Sequence, residues 1–250
     1  MLVDVQHDDG IRTLTLNSPA NRNALSERLL AQLEQALRDA TSAPDVRAVV
    51  LTGAGTVFCS GADLSERGTA APNRMPAILT SIVESAVPVV VRVNGHARAG
   101  GIGLIAAADI AVATTEATFA FTEVRVGVAP AMILVPALRV MDRRFLARAT
   151  LTGERFDAAA AVEAGLLTAV TPDEAALDAW VADRTTALRQ AAPGAVRATK
   201  ELLRTLPTRE WGDGLAAAAV TSADLFAGAE AAEGMDAFLQ KRRPAWDTTP

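Results

Sequence analysis

Three short segments combine residue types that acid/base and electrostatic chemistry can use. The first, Phe119-Ala120-Phe121-Thr122-Glu123-Val124-Arg125-Val126-Gly127, sets one carboxylate after an apolar run and shortly before Pro130. Apolar neighbours favour the uncharged form, so they raise a carboxyl pKa toward neutrality and suit Glu123 to accept and release a proton. The plain alternative is a glutamate that is exposed or paired with Arg125, the common fate of a lone Glu. The second segment, Val93-Asn94-Gly95-His96-Ala97-Arg98-Ala99-Gly100-Gly101-Ile102-Gly103-Leu104, reads as a strand, a turn and a glycine-rich helix start. The free amides of a first helical turn favour developing negative charge, which makes the Gly100 N–H a candidate oxyanion donor. Gly101-x-Gly103-x-x-Ala106 also imitates a dinucleotide fingerprint, but that motif follows its strand directly, whereas Asn94 to Ala99 intervene here. In the third segment, Phe58-Cys59-Ser60-Gly61-Ala62-Asp63-Leu64, small residues let a ligand approach the main chain, so the Ala62 N–H could donate to a ligand oxygen. Otherwise this is a tight turn in which Asp63 caps the next stretch of chain.

The remaining reactive side chains read as structural. Cys59 has no basic neighbour in sequence and suits a small buried position. His96 reads as a hydrogen-bonded histidine, Arg98 as a solvated arginine or a partner for a ligand carboxylate, and Asp109 as an acceptor for backbone amides at a strand start. One cysteine and two histidines, His7 and His96, exclude an internal disulfide and a histidine- or thiolate-rich metal site. The net charge of −5 is spread without a Lys/Arg run longer than three residues, so a nucleic-acid groove or a basic membrane surface is not expected and a small-molecule partner is. The most apolar stretch, Val87 to Ala113, is broken by Arg92, His96, Arg98 and Asp109, and Met1 is not followed by a leader pattern. A soluble, unprocessed, cytoplasmic protein is the expectation.

These segments need a scaffold, and the sequence supplies an α/β one. Leu2 to Gln6 and Ile11 to Asn17 flank Asp8-Asp9-Gly10 as a hairpin. Ser26 to Ala40 spaces Leu29, Leu30, Leu33, Ala36 and Leu37 on one helical face, with Ser26 as the cap. Val46 to Thr52 and Val87 to Val93 are apolar, β-branched runs suited to strands buried on both faces, with a helix near Met75 to Ser85 between them. Gly100 to Ala108 follows as a helix, then Asp109 to Thr114 and Thr118 to Phe121 as strands. Beyond Ala129 strands nearly vanish, and helices are expected over Asp157 to Ala164, Asp173 to Gln190, Gly194 to Thr205 and Glu210 to Ala227.

Together the three segments resemble the enoyl-CoA hydratase/isomerase (crotonase) family. Further matching marks are Asn23-Ala24-Leu25, Asp109-Ile110-Ala111-Val112-Ala113, Leu151-Thr152-Gly153-Glu154-Arg155-Phe156 and Ala164-Gly165-Leu166. Glu233-Gly234-Met235, Phe238 and Lys241-Arg242-Arg243-Pro244 extend the match almost to the C-terminus. The resemblance implies a spiral of ββα turns over residues 1–192 that binds acyl-CoA, and a helical segment over 193–250 that forms trimers, often paired into hexamers. It places the oxyanion donors on Ala62 and Gly100 and the acid/base on Glu123. It places coenzyme A contacts at Arg22, Ala24, Leu25, Ala62, Asp63 and Leu64, with Phe238 and Lys241 toward the nucleotide. No cofactor is implied, because coenzyme A arrives as part of the substrate. Familiar hydratases carry a second glutamate on the glycine-rich helix, at the position that Gly103 occupies here. Gly103 is then either a packing choice or a device that widens the acyl pocket. One glutamate suffices for a double-bond shift, and for hydration if another group holds the water. A hydratase is expected first, an isomerase second, and a non-catalytic acyl-CoA-binding homologue third.

Overall fold

Chain reversal at the N-terminus follows from Asp9 and Gly10, whose φ values of +42° and +77° suit the two-residue turn an Asp-Gly pair favours. They join β1 (Val3–Asp8) to β2 (Ile11–Leu16), antiparallel and with Asp8 opposite Ile11. The computed structural model describes residues 1–66 and 73–247. Ser26 accepts the Leu29 amide at 3.3 Å and so caps α1 (Glu27–Ser42), whose Leu29, Leu30, Leu33, Ala36, Leu37 and Ala40 are buried.

A three-part unit then recurs: a long buried strand, a short strand and a helix. The first is β3 (Ala48–Gly53), β4 (Val57–Cys59) and α2 (Met75–Val83). The second is β5 (Val89–Val93), β6 (His96–Arg98) and α3 (Gly100–Ala107). The third is β7 (Ile110–Thr114), β8 (Thr118–Ala120) and α4 (Ala131–Val140). After α5 (Arg143–Thr152), the short β9 (Phe156–Asp157) leads into α6 (Ala158–Glu163), and β10 (Ala169–Thr171) leads into α7 (Glu174–Gln190). The long strands pair in the order β1-β2-β3-β5-β7-β10 and the short ones in the order β4-β6-β8-β9. Each unit adds one parallel strand to each sheet, so the chain advances as a spiral. The expected hairpin, first helix, buried strands and glycine-rich helix are all present.

Several elements depart from the sequence reading. β4 and β6 lie in segments without strand-length alternation, and β9 and β10 fall beyond Ala129, where strands were expected nearly to vanish. Strands of two or three residues are too short to show a period of two, and they form because an existing edge pairs them. α4 was not expected because it is apolar around most of its circumference and carries Pro136 inside, which hides any helical period. α5 begins where Asp142 accepts the Phe145 amide at 2.8 Å, a start that the sequence pattern did not reveal.

The helices from α8 (Pro193–Thr205) through α9 (Trp211–Phe226) to α10 (Ala229–Leu239) are seated on the spiral by polar ties. The buried Lys200 ammonium donates to the carbonyls of Ile82 and Val87, each at 3.1 Å, and pairs with Asp109 at 2.6 Å. Asp109 also accepts the Val89 amide at 2.7 Å, the backbone role expected of it. Burial holds the Lys200 pKa below the usual lysine range, and Asp109 opposes that shift. At the other end the Arg47 guanidinium caps α7 through the carbonyls of Leu188, Arg189 and Ala191 and reaches that of Trp246. Lys200→Met leaves the buried carbonyls and carboxylate without their cation, so denaturant unfolding is expected to show a loss on the order of 3 kcal/mol. A loss below about 0.5 kcal/mol, the size expected of an ordinary surface change, would mean that the tie is not structural.

Candidate active site

The strands β4, β6 and β8 are parallel neighbours, so the loops at their C-terminal ends lie side by side, where ligands of parallel sheets gather. These loops carry Gly61-Ala62, Ala99-Gly100 and Phe121-Thr122-Glu123, which are the three segments singled out from the sequence.

The first two loops are in direct backbone contact. Gly61 has φ +91°, and a Cβ placed on it would sit 2.8 Å from the Ala99 Cβ. Ala99 caps α3 at φ +48°, ψ −120°, a strained setting for a residue with a side chain. A Cβ on Gly101 would lie 2.8 Å from the Cys59 Cβ, and one on Gly100 would lie 2.8 Å from Leu25 Cδ1. Glycine at 61 and 101 therefore lets β4 and the loop after it sit against the start of α3, and glycine at 100 leaves room for Leu25. Leu25 and Ala62 form a parallel bridge in which the Leu25 amide donates to Gly61 and the Asp63 amide donates to Leu25. In that geometry the Ala62 N–H is directed away from Leu25. The Gly100 N–H opens the first turn of α3, where no preceding helical carbonyl exists to accept it. Two main-chain donors are thus set on adjoining loops.

Glu123 begins a short 3₁₀ turn, Glu123–Val126, that ends at Gly127 in the left-handed conformation. The third loop is tied to the second, since the Ala99 N–H donates to the Ala120 carbonyl at 3.1 Å. Glu123 is half-buried, and its Oε2 is a buried atom without a hydrogen-bond partner among the described residues. Burial raises its pKa above the usual glutamate range, against a smaller lowering from its own amide. Arg125 does not pair with it; the Arg125 side chain lies over Gly153, where a Cβ would meet its Nε at 2.9 Å. A carboxyl with one unpartnered oxygen, held half out of water, can exchange a proton with a neighbouring carbon or water.

Beside Gly103 there is no open volume. A Cβ there would lie 2.4 Å from Ile133 Cγ2 and 2.9 Å from Ile133 Cβ, so α4 packs into the space a side chain would take. Of the two readings of Gly103, the structure supports packing and overturns the wider acyl pocket. Gly103→Ala is expected to lose about 1–3 kcal/mol through overpacking. Ile133→Ala should lose about 2–5 kcal/mol through the cavity it leaves. Because the two residues touch, the double variant should be more stable than the summed losses predict; strict additivity in urea melts would deny the contact.

Other predicted residues fall into two groups. Arg22, Ala24, Leu25, Asp63 and Leu64 come together around the Leu25–Ala62 bridge, with Arg22 and Leu64 exposed and Ala24 and Leu25 buried. Sequence reading did not single out Asn23 as the residue that builds this corner. It is wholly buried at φ +53°, donates to the carbonyls of Ala54 and Val57, and accepts the Ser18 amide. Asn is one of the few residues that tolerates this backbone and also satisfies three main-chain groups, which is the signal its type offered. Asp63 accepts from the Ser65 hydroxyl and amide, which hold its pKa down. Phe238 and Lys241 stand apart: both are exposed at the end of α10, whose polar ties run from Glu230 to Gly194 and Ala195. Arg98 is half-buried rather than freely solvated, and its guanidinium donates to Thr118 and the Ala97 carbonyl. His96 accepts the Thr118 amide at Nδ1, and burial raises the Cys59 thiol to about 12, so neither suits nucleophilic work. Among the described residues no group of three or more His, Cys, Asp or Glu could hold a metal ion.

The sequence and the fold are shared with known proteins. The sequence profile of the enoyl-CoA hydratase/isomerase family matches residues 6–249. A Thermus thermophilus protein whose name carries the words enoyl-CoA hydratase is 36% identical, over 96% of this chain and 99% of its own. The 2,3-dehydroadipyl-CoA hydratase of Escherichia coli is 31% identical, with 96% of each chain covered. The crystal structure of an enoyl-CoA hydratase from Mycobacterium smegmatis superposes with a TM-score of 0.93 at 34% identity, covering 99% of this chain and 100% of that one. With the spiral, the paired loops and a profile match along nearly the whole length, the chain belongs to the enoyl-CoA hydratase/isomerase (crotonase) family.

Proposed function

We propose that the protein is an enoyl-CoA hydratase-type enzyme in which Glu123 is the sole acid/base. The observation that carries this is the half-buried Glu123 carboxyl with an unpartnered Oε2, on a loop tied to the one that presents the Gly100 N–H. The thioester oxygen is held by the Ala62 and Gly100 amides, so negative charge that develops on it as water adds at Cβ is stabilised where it forms. Glu123 accepts the proton of that water and returns one to Cα. Coenzyme A lies along Arg22, Ala24, Leu25, Asp63 and Leu64, and no further cofactor enters. Ile133 against Gly103 favours a second reading, a double-bond isomerase, because it leaves no place at position 103 of α3 for a second carboxylate to hold water. The third reading, an acyl-CoA-binding homologue without turnover, has no such observation behind it.

Crotonyl-CoA and a 3-enoyl-CoA distinguish these readings. Consumption of crotonyl-CoA with formation of the 3-hydroxy product supports the hydratase, and conversion of only the 3-enoyl compound supports the isomerase. Tight binding with no turnover of either would sink both. The pH profile supplies another check. Glu123 acts as base when deprotonated, so kcat/KM should rise with pH and level off above a midpoint higher than an ordinary glutamate's. A flat profile across that range would remove Glu123 from the rate-determining proton transfer.

We also propose that the chain works in the cytoplasm as a homotrimer or a pair of trimers, built through its C-terminal helices. Trp211, Leu215, Val220, Phe226, Phe238 and Leu239 are exposed on α9 and α10, an apolar surface that a second copy would cover. In that assembly Phe238 and Lys241 would serve the nucleotide end of a neighbouring site. Sedimentation of a monomer at micromolar concentration would refute this arrangement.

A further inference from the structure

Four phenylalanine side chains meet at Phe156. Its ring stacks on those of Phe119 and Phe121, with centroids 5.6 and 6.3 Å away and planes inclined by 26° and 23°. It meets the Phe145 ring nearly at a right angle, 5.1 Å away and inclined by 87°. Strand pairing explains the cluster. β9 runs antiparallel to β8 with Phe156 opposite Phe119, and Phe121 follows at the two-residue spacing that returns a side chain to the same face. Phe119, Phe121 and Phe156 are buried. Phe145, in the first turn of α5, is half-buried and carries the Arg148 guanidinium over its ring at 5.1 Å. Among the described residues no ring contact joins Phe145 to Phe119 or Phe121.

We infer that Phe156 is a positioning residue for Glu123: its ring seats Phe121 and so fixes the direction from which the chain enters the Glu123 turn. The inference rests on the reading of Glu123 as the acid/base. Only Thr122 separates Phe121 from Glu123. Within the turn the Arg125 amide donates to the Thr122 carbonyl and the Val128 amide to the Glu123 carbonyl, each at 3.1 Å, which fixes its shape. Its place is another matter. The main-chain tie to the Gly100 loop, from the Ala99 amide to the Ala120 carbonyl, comes before Phe121 in the chain. Past that point the turn is located by packing, with Phe121 on Phe156 at one end and Arg125 over Gly153 at the other. A flat ring stacked on another resists tilting, whereas an aliphatic side chain of similar volume leaves that freedom. Burial, and no neighbouring charge among the described residues, raises the Glu123 pKa. α3 has no titratable residue and α4 has only Arg139, in its last turn. α5 brings Arg143 and Arg144 at its exposed start and Arg148, which pairs with Glu154. A turn that tilts toward water should therefore lower the Glu123 pKa.

The test compares Phe156→Leu, Phe121→Leu and Phe145→Leu in steady-state kinetics, using whichever of crotonyl-CoA and the 3-enoyl-CoA is turned over, and in calorimetry with a saturated acyl-CoA. Phe156→Leu and Phe121→Leu should lower kcat roughly 10- to 100-fold, the cost of misplacing a reacting group by up to about 1 Å, with acyl-CoA affinity unchanged. The midpoint of the kcat/KM profile should move to lower pH in both. Phe145→Leu takes a ring from the same cluster without touching β8, so it should lower Tm while leaving kcat and the midpoint in place. In the Glu123→Gln background, Phe156→Leu should bring no further loss of kcat, because the turn no longer holds a carboxylate to aim. If Phe156→Leu does not fold, Phe156→Met keeps most of the volume without the flat ring and serves the same comparison. Equal kcat losses in Phe156→Leu and Phe145→Leu, an unshifted midpoint, or a full further loss in the Glu123→Gln background would make the cluster ordinary core and overturn the inference. Unchanged kcat in Phe156→Leu beside a large loss in Glu123→Gln would strike the inference alone. Unchanged kcat in Glu123→Gln would strike the proposed acid/base and the inference with it.

Discussion

Glu123→Gln is expected to lower kcat about 100- to 10,000-fold, the range supplied by one positioned acid/base, with little change in the affinity for a saturated acyl-CoA. The same substitution should raise Tm at neutral pH. Glu123 keeps its proton more readily in the folded protein than in the unfolded chain, because burial disfavours its charge. Stability is therefore greatest below the unfolded pKa and falls as pH rises through the folded one, so at neutral pH the charged carboxylate works against the fold. Gln is neutral at every pH and removes that loss. Steady-state kinetics and thermal melts at two pH values test both halves. Equal kcat in the two proteins would exclude Glu123 from the chemistry, and a lower Tm in Glu123→Gln would show that the carboxylate has a structural partner.

Gly61→Val should cost about 100- to 1,000-fold in kcat, the usual effect of misplacing one oxyanion donor. Two causes act together. At φ +91° a β-branched residue is strained, and its Cβ would stand 2.8 Å from the Ala99 Cβ and 3.2 Å from the Arg98 carbonyl. Relief of that clash pushes the Ala62 loop away from the start of α3, so the two N–H groups proposed to hold the thioester oxygen move apart. The loss should fall on kcat more than on ground-state binding, because charge develops on the oxygen only along the reaction path. Circular dichroism separates this result from unfolding. A native spectrum with kcat within threefold of the unsubstituted protein would mean that the loop contact does not set the donors.

Much of this arrangement was legible in the sequence because its causes are local. Asp9-Gly10 specifies its turn, Ser26 its helix start, and the buried valine runs their strands. Glu123 could be singled out because an apolar strand delivers it directly, and Gly100 because a helix begins there. What the sequence left hidden depends on contacts between distant segments. The strands β4, β6, β9 and β10 are too short for any period and exist because neighbouring edges accept them. Gly61 looked like a turn residue until Ala99, 38 positions on, was found against it. The partner of Gly103 is Ile133, on a helix whose uniform apolarity and internal proline masked it. Asn23 read as part of a motif, although its work is to satisfy three main-chain groups contributed from Ser18, Ala54 and Val57.

The interlock of Gly103 with Ile133 bears on ancestry as well as on packing. A chain with this core cannot gain a carboxylate on the glycine-rich helix in one step, because the isoleucine must first give way, and losing the isoleucine alone opens a hole. Each single change is disfavoured in the background of the other, so the pair is epistatic and is held in place by stability before selection for activity can act. A lineage in this state is expected to diversify through the walls around Glu123, since a two-carboxylate arrangement lies behind a fitness valley.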